Sequence, residues 1–149
     1  MKKLYFAALF VLLLVGCQDG SEDTTSIDIS TPEAADSLMS LINLPDGFNI
    51  RVFAEVNNAR SLAMSPSGTI YVGNRNGDKV YAVRDTNGDF YADEKYVIDT
   101  GLNSPNGVAF RDGDLYVAEI NRILRYSDVE GDFANPPSKE IIYDQYPTE

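Results

Sequence analysis

Between residues 61 and 126 the sequence repeats itself, and the repeat limits the fold before any single residue does. Ser61-Leu62-Ala63-Met64 aligns with Gly107-Val108-Ala109-Phe110, Ile70-Tyr71-Val72 with Leu115-Tyr116-Val117, and Val80-Tyr81-Ala82-Val83 with Ile123-Leu124-Arg125-Tyr126, at offsets of 46, 45 and 43 residues. Each stretch is short, rich in β-branched and aromatic residues, and bounded by Gly, Asn, Asp or Pro, the pattern of strands separated by turns. The turn quartets recur too, with Ser65-Pro66-Ser67-Gly68 and Arg111-Asp112-Gly113-Asp114 at the same place in both units. The pattern predicts strands over 61–64, 69–73, 79–84 and 95–99, and again over 107–111, 115–119, 122–127 and 139–143.

A period near 45 residues with four strands per unit is the signature of β-propeller blades, sheets that bury their faces against their neighbours. An all-β domain holding about two four-stranded blades is therefore expected over residues 44–149. A β-sandwich with accidental internal similarity is the alternative. Ahead of the first unit, Phe48 to Val56 alternates, with Phe48, Ile50, Val52 and Ala54 on one face. That segment predicts a further strand, one that could complete the last blade of a ring.

The N-terminus has a different texture. Lys2 and Lys3 precede an apolar run from Leu4 to Val15 that ends at Gly16 and the only cysteine, Cys17. A transmembrane helix needs about 20 apolar residues, so this shorter run reads as an export signal. Leu14-Val15-Gly16-Cys17 resembles the lipobox of bacterial lipoproteins, whose cysteine thiol carries the lipid; a lone core cysteine is the alternative. Residues 1–16 are then a signal peptide, and Cys17 anchors the mature chain to a membrane of the cell envelope, at the outer membrane on its periplasmic or surface face. No cysteine follows, so packing, and any bound metal, must hold the domain without a disulfide.

Removing residues 1–16 leaves 133 residues, enough for one modest domain with a real core. The 12 basic and 23 acidic residues give a formal charge of −11, and losing Lys2 and Lys3 makes it −13. Such a surface repels phosphate backbones and anionic headgroups, which excludes nucleic acid as a partner and leaves membrane contact to the lipid. Gln18 to Ile50 holds seven acidic residues and no Lys or Arg. Residues 17–43 therefore read as an acidic tether, extended over 18–30 and followed by a short helix. Thr31 is its expected N-cap, Pro32 its first residue, and Ala35, Leu38 and Leu41 or Ile42 its apolar face, ending before Pro45.

Four stretches, Leu44-Pro45-Asp46-Gly47-Phe48, Ala59-Arg60-Ser61-Leu62-Ala63, Asn103-Ser104-Pro105-Asn106-Gly107-Val108-Ala109-Phe110 and Leu115-Tyr116-Val117-Ala118-Glu119-Ile120-Asn121-Arg122-Ile123, together resemble the glucose/sorbosone dehydrogenase family, closest to its sorbosone branch. The resemblance implies a six-bladed propeller that holds pyrroloquinoline quinone (PQQ), often with calcium, and oxidises a small sugar or aldehyde. In that family a histidine takes the hydroxyl proton, and this chain has none. The family's histidine follows a segment like Glu140-Ile141-Ile142-Tyr143-Asp144, so the resemblance implies an N-terminal part without the catalytic half, inactive by itself. Pro105 also stands where the family's soluble glucose dehydrogenases place a glutamine that contacts the cofactor.

Propellers bind ligands over the central channel, on the face built by the loops entering the innermost strand and joining the second to the third. Those loops carry Asn58, Arg60, Arg75, Asn106, Glu119, Asn121 and Arg122. Arg60, Arg75 and Asn106 are the expected cofactor-binding residues, since a guanidinium pairs bidentately with a carboxylate. The alternative is that the two arginines make ion pairs between blades and that Asn106-Gly107 only makes a turn. A second constellation, Asp85-Thr86-Asn87-Gly88-Asp89-Phe90-Tyr91-Ala92-Asp93, places Asp85, Asn87, Asp89 and Asp93 at positions one, three, five and nine, the spacing of an EF-hand-like calcium loop. Phe90 stands where such loops want glycine, Tyr96 where they want glutamate, and a polar turn accounts for the same residues. On the face opposite the expected pocket, any calcium there would be structural. The functional expectations are a PQQ-dependent sugar or aldehyde dehydrogenase, a noncatalytic surface propeller lipoprotein that binds glycans or protein partners, or a truncated product with no function of its own.

The lipobox makes a prediction of its own. Mature protein begins at an acylated Cys17 and partitions with membranes, and Cys17→Ser releases it or leaves the precursor uncleaved. Mass spectrometry of the N-terminus checks this, and an unmodified Cys17 in a soluble, uncleaved chain would refute it.

Overall fold

A computed structural model describes residues 38–147. The signal peptide, Cys17 and most of the tether lie outside the described residues. Of the expected short helix, Leu38 and Met39 are described and helical. The chain turns there, with the Leu41 N–H donating to the Leu38 carbonyl at 3.1 Å and the Ile42 N–H to that of Met39 at 3.1 Å.

Eight strands follow: β1 (Ala59–Met64), β2 (Ile70–Asn74), β3 (Val80–Arg84), β4 (Glu94–Asp99), β5 (Gly107–Arg111), β6 (Asp114–Ala118), β7 (Ile123–Tyr126) and β8 (Glu140–Tyr143). They form two four-stranded antiparallel sheets in the orders β1-β2-β3-β4 and β5-β6-β7-β8. The fold is all-β, and the strands fall within two residues of the positions the repeat predicts. Each connection joins neighbours because the turns allow it. Asp112 and Gly113 both adopt positive φ, 53° and 92°, between the paired residues Arg111 and Asp114. That is the two-residue hairpin turn whose twist matches the strands it joins.

Register sorts the side chains into faces. Tyr71 pairs with Ala82, and Ala82 with Tyr96, on one face of the first sheet, while Val72 pairs with Tyr81 and Tyr81 with Val97 on the other. In the second sheet Val108 pairs with Val117, and Val117 with Leu124. The main core lies where these faces meet, with Tyr71, Val80, Ala82 and Ile98 of the first sheet packed against Leu115, Val117, Leu124 and Tyr126 of the second. Full burial of a large apolar side chain stabilises by about 1.5–3 kcal/mol, so this interface dominates the stability of the pair.

The two sheets come closest where β5 meets β1 and β2. There Tyr71 stacks on Phe110, ring centroids 5.5 Å apart. Toward the outer strands the gap is filled from the β7–β8 connection, where Val129 is buried in the core and Phe133 stacks on Tyr96 of β4 at 5.3 Å. Polar groups bridge the same gap. The Tyr126 hydroxyl donates to Asp99 at 2.7 Å, Lys139 Nζ to the same oxygen at 2.9 Å, and the Ser65 and Ser67 hydroxyls to Glu130 at 2.6 Å each.

The expected strand over Phe48 to Val56 is not formed. Phe53, Ala54 and Val56 pack on Val72, Tyr81 and Val83, so this segment lies across the outward face of the first sheet instead of along an edge. A strand persists only where a neighbour satisfies its backbone groups. Here the backbone makes one bond to the β3–β4 loop, from the Ala92 N–H to the Phe53 carbonyl at 2.8 Å. Side chains supply the other ties: Lys95 Nζ donates to the Glu55 carbonyl at 3.1 Å, and the Arg51 guanidinium lies over Tyr91 at 5.3 Å. Phe48 and Ile50, expected to share the buried face, are exposed.

Gly73 fixes how closely the sheets approach. A Cβ at this position would lie 2.5 Å from the Asn106 carbonyl oxygen and 2.7 Å from that of Pro105. Both obstacles are backbone, so Gly73→Ala must push the sheets apart and is expected to destabilise by about 1–3 kcal/mol, the usual cost of overpacking. Urea unfolding of Gly73→Ala beside Gly113→Ala, which strains only a turn, measures it. A Gly73→Ala midpoint equal to wild type would show that the sheets do not depend on this contact.

Candidate functional site

The strands end in four loops on one side of the molecule: the segment entering β1, the β2–β3 loop, the segment entering β5 and the β6–β7 loop. Closely packed inner strands bring these loops together. The Asn74 N–H, at the end of β2, donates to the Pro105 carbonyl at 2.9 Å. Ser104 takes a positive φ of 48°, and the Asn106 N–H closes a tight turn on the Ser104 carbonyl at 2.7 Å. Arg75 thereby stands beside Asn106, though 31 positions separate them in the sequence.

Two open hollows result, with Arg75 in the wall of both. One, of about 380 Å³, is lined by Arg75, Ser104, Asn106, Gly107, Ala118, Glu119 and Ile120. Its neighbour, of about 230 Å³, is lined by Asn58, Ala59, Arg60, Arg75 and Asn76. The structure thus brings Arg60, Arg75 and Asn106 to one rim. Arg60 and Arg75 are exposed, and neither has an ion-pair partner among the described residues. Asn106 does more than make a turn, because its Oδ1 accepts from the Ser61 hydroxyl at 3.1 Å and so ties β1 to β5.

The other rim residues are occupied with the fold. Glu119 is buried. It accepts from the Arg122 guanidinium and, at 2.5 Å, from the Asn103 N–H, locking the β6–β7 loop to the segment before β5. The hydrogen bond from Arg122 to Glu119 raises the arginine pKa further above its usual range. Neither partner is available to a ligand without exposing the other. Asn121 has a buried Oδ1 that accepts no hydrogen bond among the described residues.

The rim can therefore receive negative charge. Two unpaired guanidiniums beside an amide in a chain of formal charge −11 form a local cationic edge suited to a carboxylate-bearing ligand.

On the opposite side, the β3–β4 loop is closed by its own carboxylates. Asp85 accepts backbone N–H groups from Asn87, Gly88 and Phe90 at 3.1, 2.7 and 2.8 Å. Asn87 accepts from the Asp89 N–H, Asp89 from that of Tyr91, and Asp93 from the N–H and hydroxyl of Thr86 and the Asn87 amide. Burial raises the Asp85 pKa, but the backbone donors together outweigh it, and the net shift is downward. Phe90 adopts φ 69°, the left-handed conformation for which loops of this spacing favour glycine. Among the described residues no three His, Cys, Asp or Glu side chains stand together as a group that could hold a metal ion.

Two polar centres between the sheets carried no functional reading in the sequence. Burial pushes the Asp99 pKa up, but hydrogen bonds from Tyr126, Lys139 and the Thr100 N–H together bring it below its usual value. Glu130 behaves alike, burial opposed by the hydroxyls of Ser65, Ser67 and Thr69 with a net lowering. The turn reading of Ser65-Pro66-Ser67-Gly68 saw the bend and not its partner, because Glu130 lies 65 residues from Ser65. No family model matches the chain, and no curated protein matches it.

Proposed function

We propose that this chain is the N-terminal part of a membrane-anchored β-propeller dehydrogenase of the PQQ-dependent, sorbosone type, with Arg60, Arg75 and Asn106 on the cofactor side of its central channel. The observation that carries the reading is the rim itself: two arginines without counter-charges share it with an asparagine, Arg75 standing in the walls of the hollows that hold Arg60 and Asn106. The packing supports a propeller over a sandwich. Sandwich sheets stay about 10 Å apart across their faces, whereas these approach most closely at β1, β2 and β5, and loop residues fill the space between their outer strands.

PQQ is a tricarboxylate quinone that, when bound, accepts two electrons from a sugar or aldehyde hydrate. Arg60 and Arg75 would hold its carboxylates and Asn106 would donate from its amide. This chain has no histidine, and on this reading the histidine that takes the substrate proton in that family would be supplied by the rest of the propeller. The absence of histidine also favours a second reading, a noncatalytic surface propeller lipoprotein that binds glycans or protein partners.

The whole product of the gene, supplied with PQQ and calcium, is expected to reduce a dye with sorbosone, glucose or another aldose, and Arg75→Ala is expected to cut turnover at limiting PQQ at least tenfold. Residues 17–149 alone are expected to be inactive. Turnover by residues 17–149 equal to that of the whole product would overturn the division of labour, and no turnover by either would select the noncatalytic reading.

Calcium at the β3–β4 loop belongs to the same proposal, in a structural role. Asp85, Asn87, Asp89 and Asp93 would supply its oxygens, with Asp85 giving up some of the three backbone N–H bonds it accepts and Asp93 some of its three. A ligand that binds only the folded state stabilises by about 2.7 kcal/mol at a hundredfold excess over its dissociation constant. Calcium added after chelation is therefore expected to raise the melting temperature, and Asp85→Ala combined with Asp89→Ala to abolish the rise. An equal rise in the double variant would remove calcium from this loop.

A further inference from the structure

An asparagine followed by glycine can react with its own backbone, because glycine has no side chain to keep its amide nitrogen away from the asparagine side-chain carbonyl. The chain has three such pairs, Asn76-Gly77, Asn87-Gly88 and Asn106-Gly107. Two of them are held by the fold. The Asn106 Oδ1 accepts from the Ser61 hydroxyl at 3.1 Å, and Gly107 is paired with Ala118 in the second sheet. The Asn87 amide is gripped at both ends, donating to Asp93 and accepting from the Asp89 N–H at 2.9 Å each, while the Gly88 N–H donates to Asp85 at 2.7 Å.

Asn76 and Gly77 carry no such restraint. They lie in the bend between β2 and β3, outside the strand ladders, with Asn76 exposed, and neither makes a hydrogen bond among the described residues. Electrostatics separates the pairs further. The attacking nitrogen must lose its proton and the carbonyl oxygen gathers negative charge, so nearby cations speed the reaction and nearby anions slow it. Asn76 shares its hollow with Arg60 and Arg75, whereas Asn87 is hydrogen-bonded within a loop carrying Asp85, Asp89 and Asp93.

We propose that Asn76 is a site of spontaneous deamidation that changes the charge of the rim. The Gly77 nitrogen bonds to the Asn76 Cγ, the bond from Cγ to the side-chain nitrogen breaks, and ammonia leaves with the proton that Gly77 gives up. Water then opens the five-membered imide at either carbonyl and leaves an aspartate or an isoaspartate. The product is an anion where a neutral amide stood, in the wall of the hollow that also holds Arg60 and Arg75. It sets a counter-charge beside two guanidiniums that have none and weakens their attraction for a carboxylate ligand. That consequence rests on the reading of the rim as a cofactor site, while the reaction at Asn76 rests on the geometry of the loop alone.

The test ages the whole product of the gene in mildly alkaline buffer and maps its peptides by mass spectrometry. Conversion of amide to acid is expected at Asn76 on the order of tenfold faster than at Asn87 or Asn106. Asn76→Gln, whose longer side chain closes a ring far more slowly, is expected to lose that conversion. An unconverted Asn76, or conversion at Asn87 or Asn106 that keeps pace with it, would overturn the site. Equilibrium binding of PQQ reads the consequence. Aged protein and fresh Asn76→Asp are each expected to bind about threefold more weakly than fresh wild type, with the gap closing at high salt. Converted protein that holds PQQ as tightly as fresh protein would overturn the charge effect. Fresh protein that binds no PQQ would count against the dehydrogenase reading instead, and the peptide map would still decide the reaction at Asn76.

Discussion

Everything about the rim depends on one place where backbone touches backbone. The Asn74 N–H reaches the Pro105 carbonyl at 2.9 Å, and Gly73 lets the Asn106 carbonyl approach where no Cβ would fit. These contacts set the distance between β2 and β5, and from that distance follow the stacking of Tyr71 on Phe110 and the Ser61 to Asn106 hydrogen bond. A pair of sheets pressed together at their inner strands must diverge outward if the gap there is filled by something larger than a side chain pair. The β7–β8 connection supplies that filling with Val129 and Phe133.

Charge is arranged to suit this geometry. Carboxylates between the sheets are saturated, Asp99 by Tyr126 and Lys139 and Glu130 by Ser65 and Ser67, as desolvated anions must be. Glu119 is saturated in the same way by Arg122 and Asn103. Arg60 and Arg75, like Arg51, Lys79 and Lys95, have no carboxylate partner among the described residues. Isolated surface charge costs little in water, so the fold tolerates them without a partner. The convergence of Arg60 and Arg75 on one rim is what gives those two functional interest.

The β-strands were legible because their signal is local. Alternation and turn chemistry act within about ten residues, and Asp112-Gly113 or Ser65-Pro66-Ser67-Gly68 bend the chain whatever lies across from them. The Phe48 to Val56 segment shows where such reading stops. Its alternation is that of a strand, but a strand is a relation between two backbones, and this backbone meets a sheet face instead of an edge. The β3–β4 loop shows a similar limit. Oxygen spacing places the right atoms in the loop, while their direction depends on which N–H groups they find, and here they find those of their own turn.

By itself the sequence determined the all-β class, the two units of four strands, their boundaries, the hairpin turns and the absence of any histidine, since each of these is written in composition or in contacts between near neighbours. Only the tertiary structure decided that Arg75 lies beside Asn106, that Glu119 is consumed by Arg122, that Glu130 answers Ser65 and Ser67, and that Phe48 to Val56 covers a face. Those pairings join residues held together by the packing of one sheet on another, and packing depends on shape and volume across the interface, which no spacing along the chain encodes.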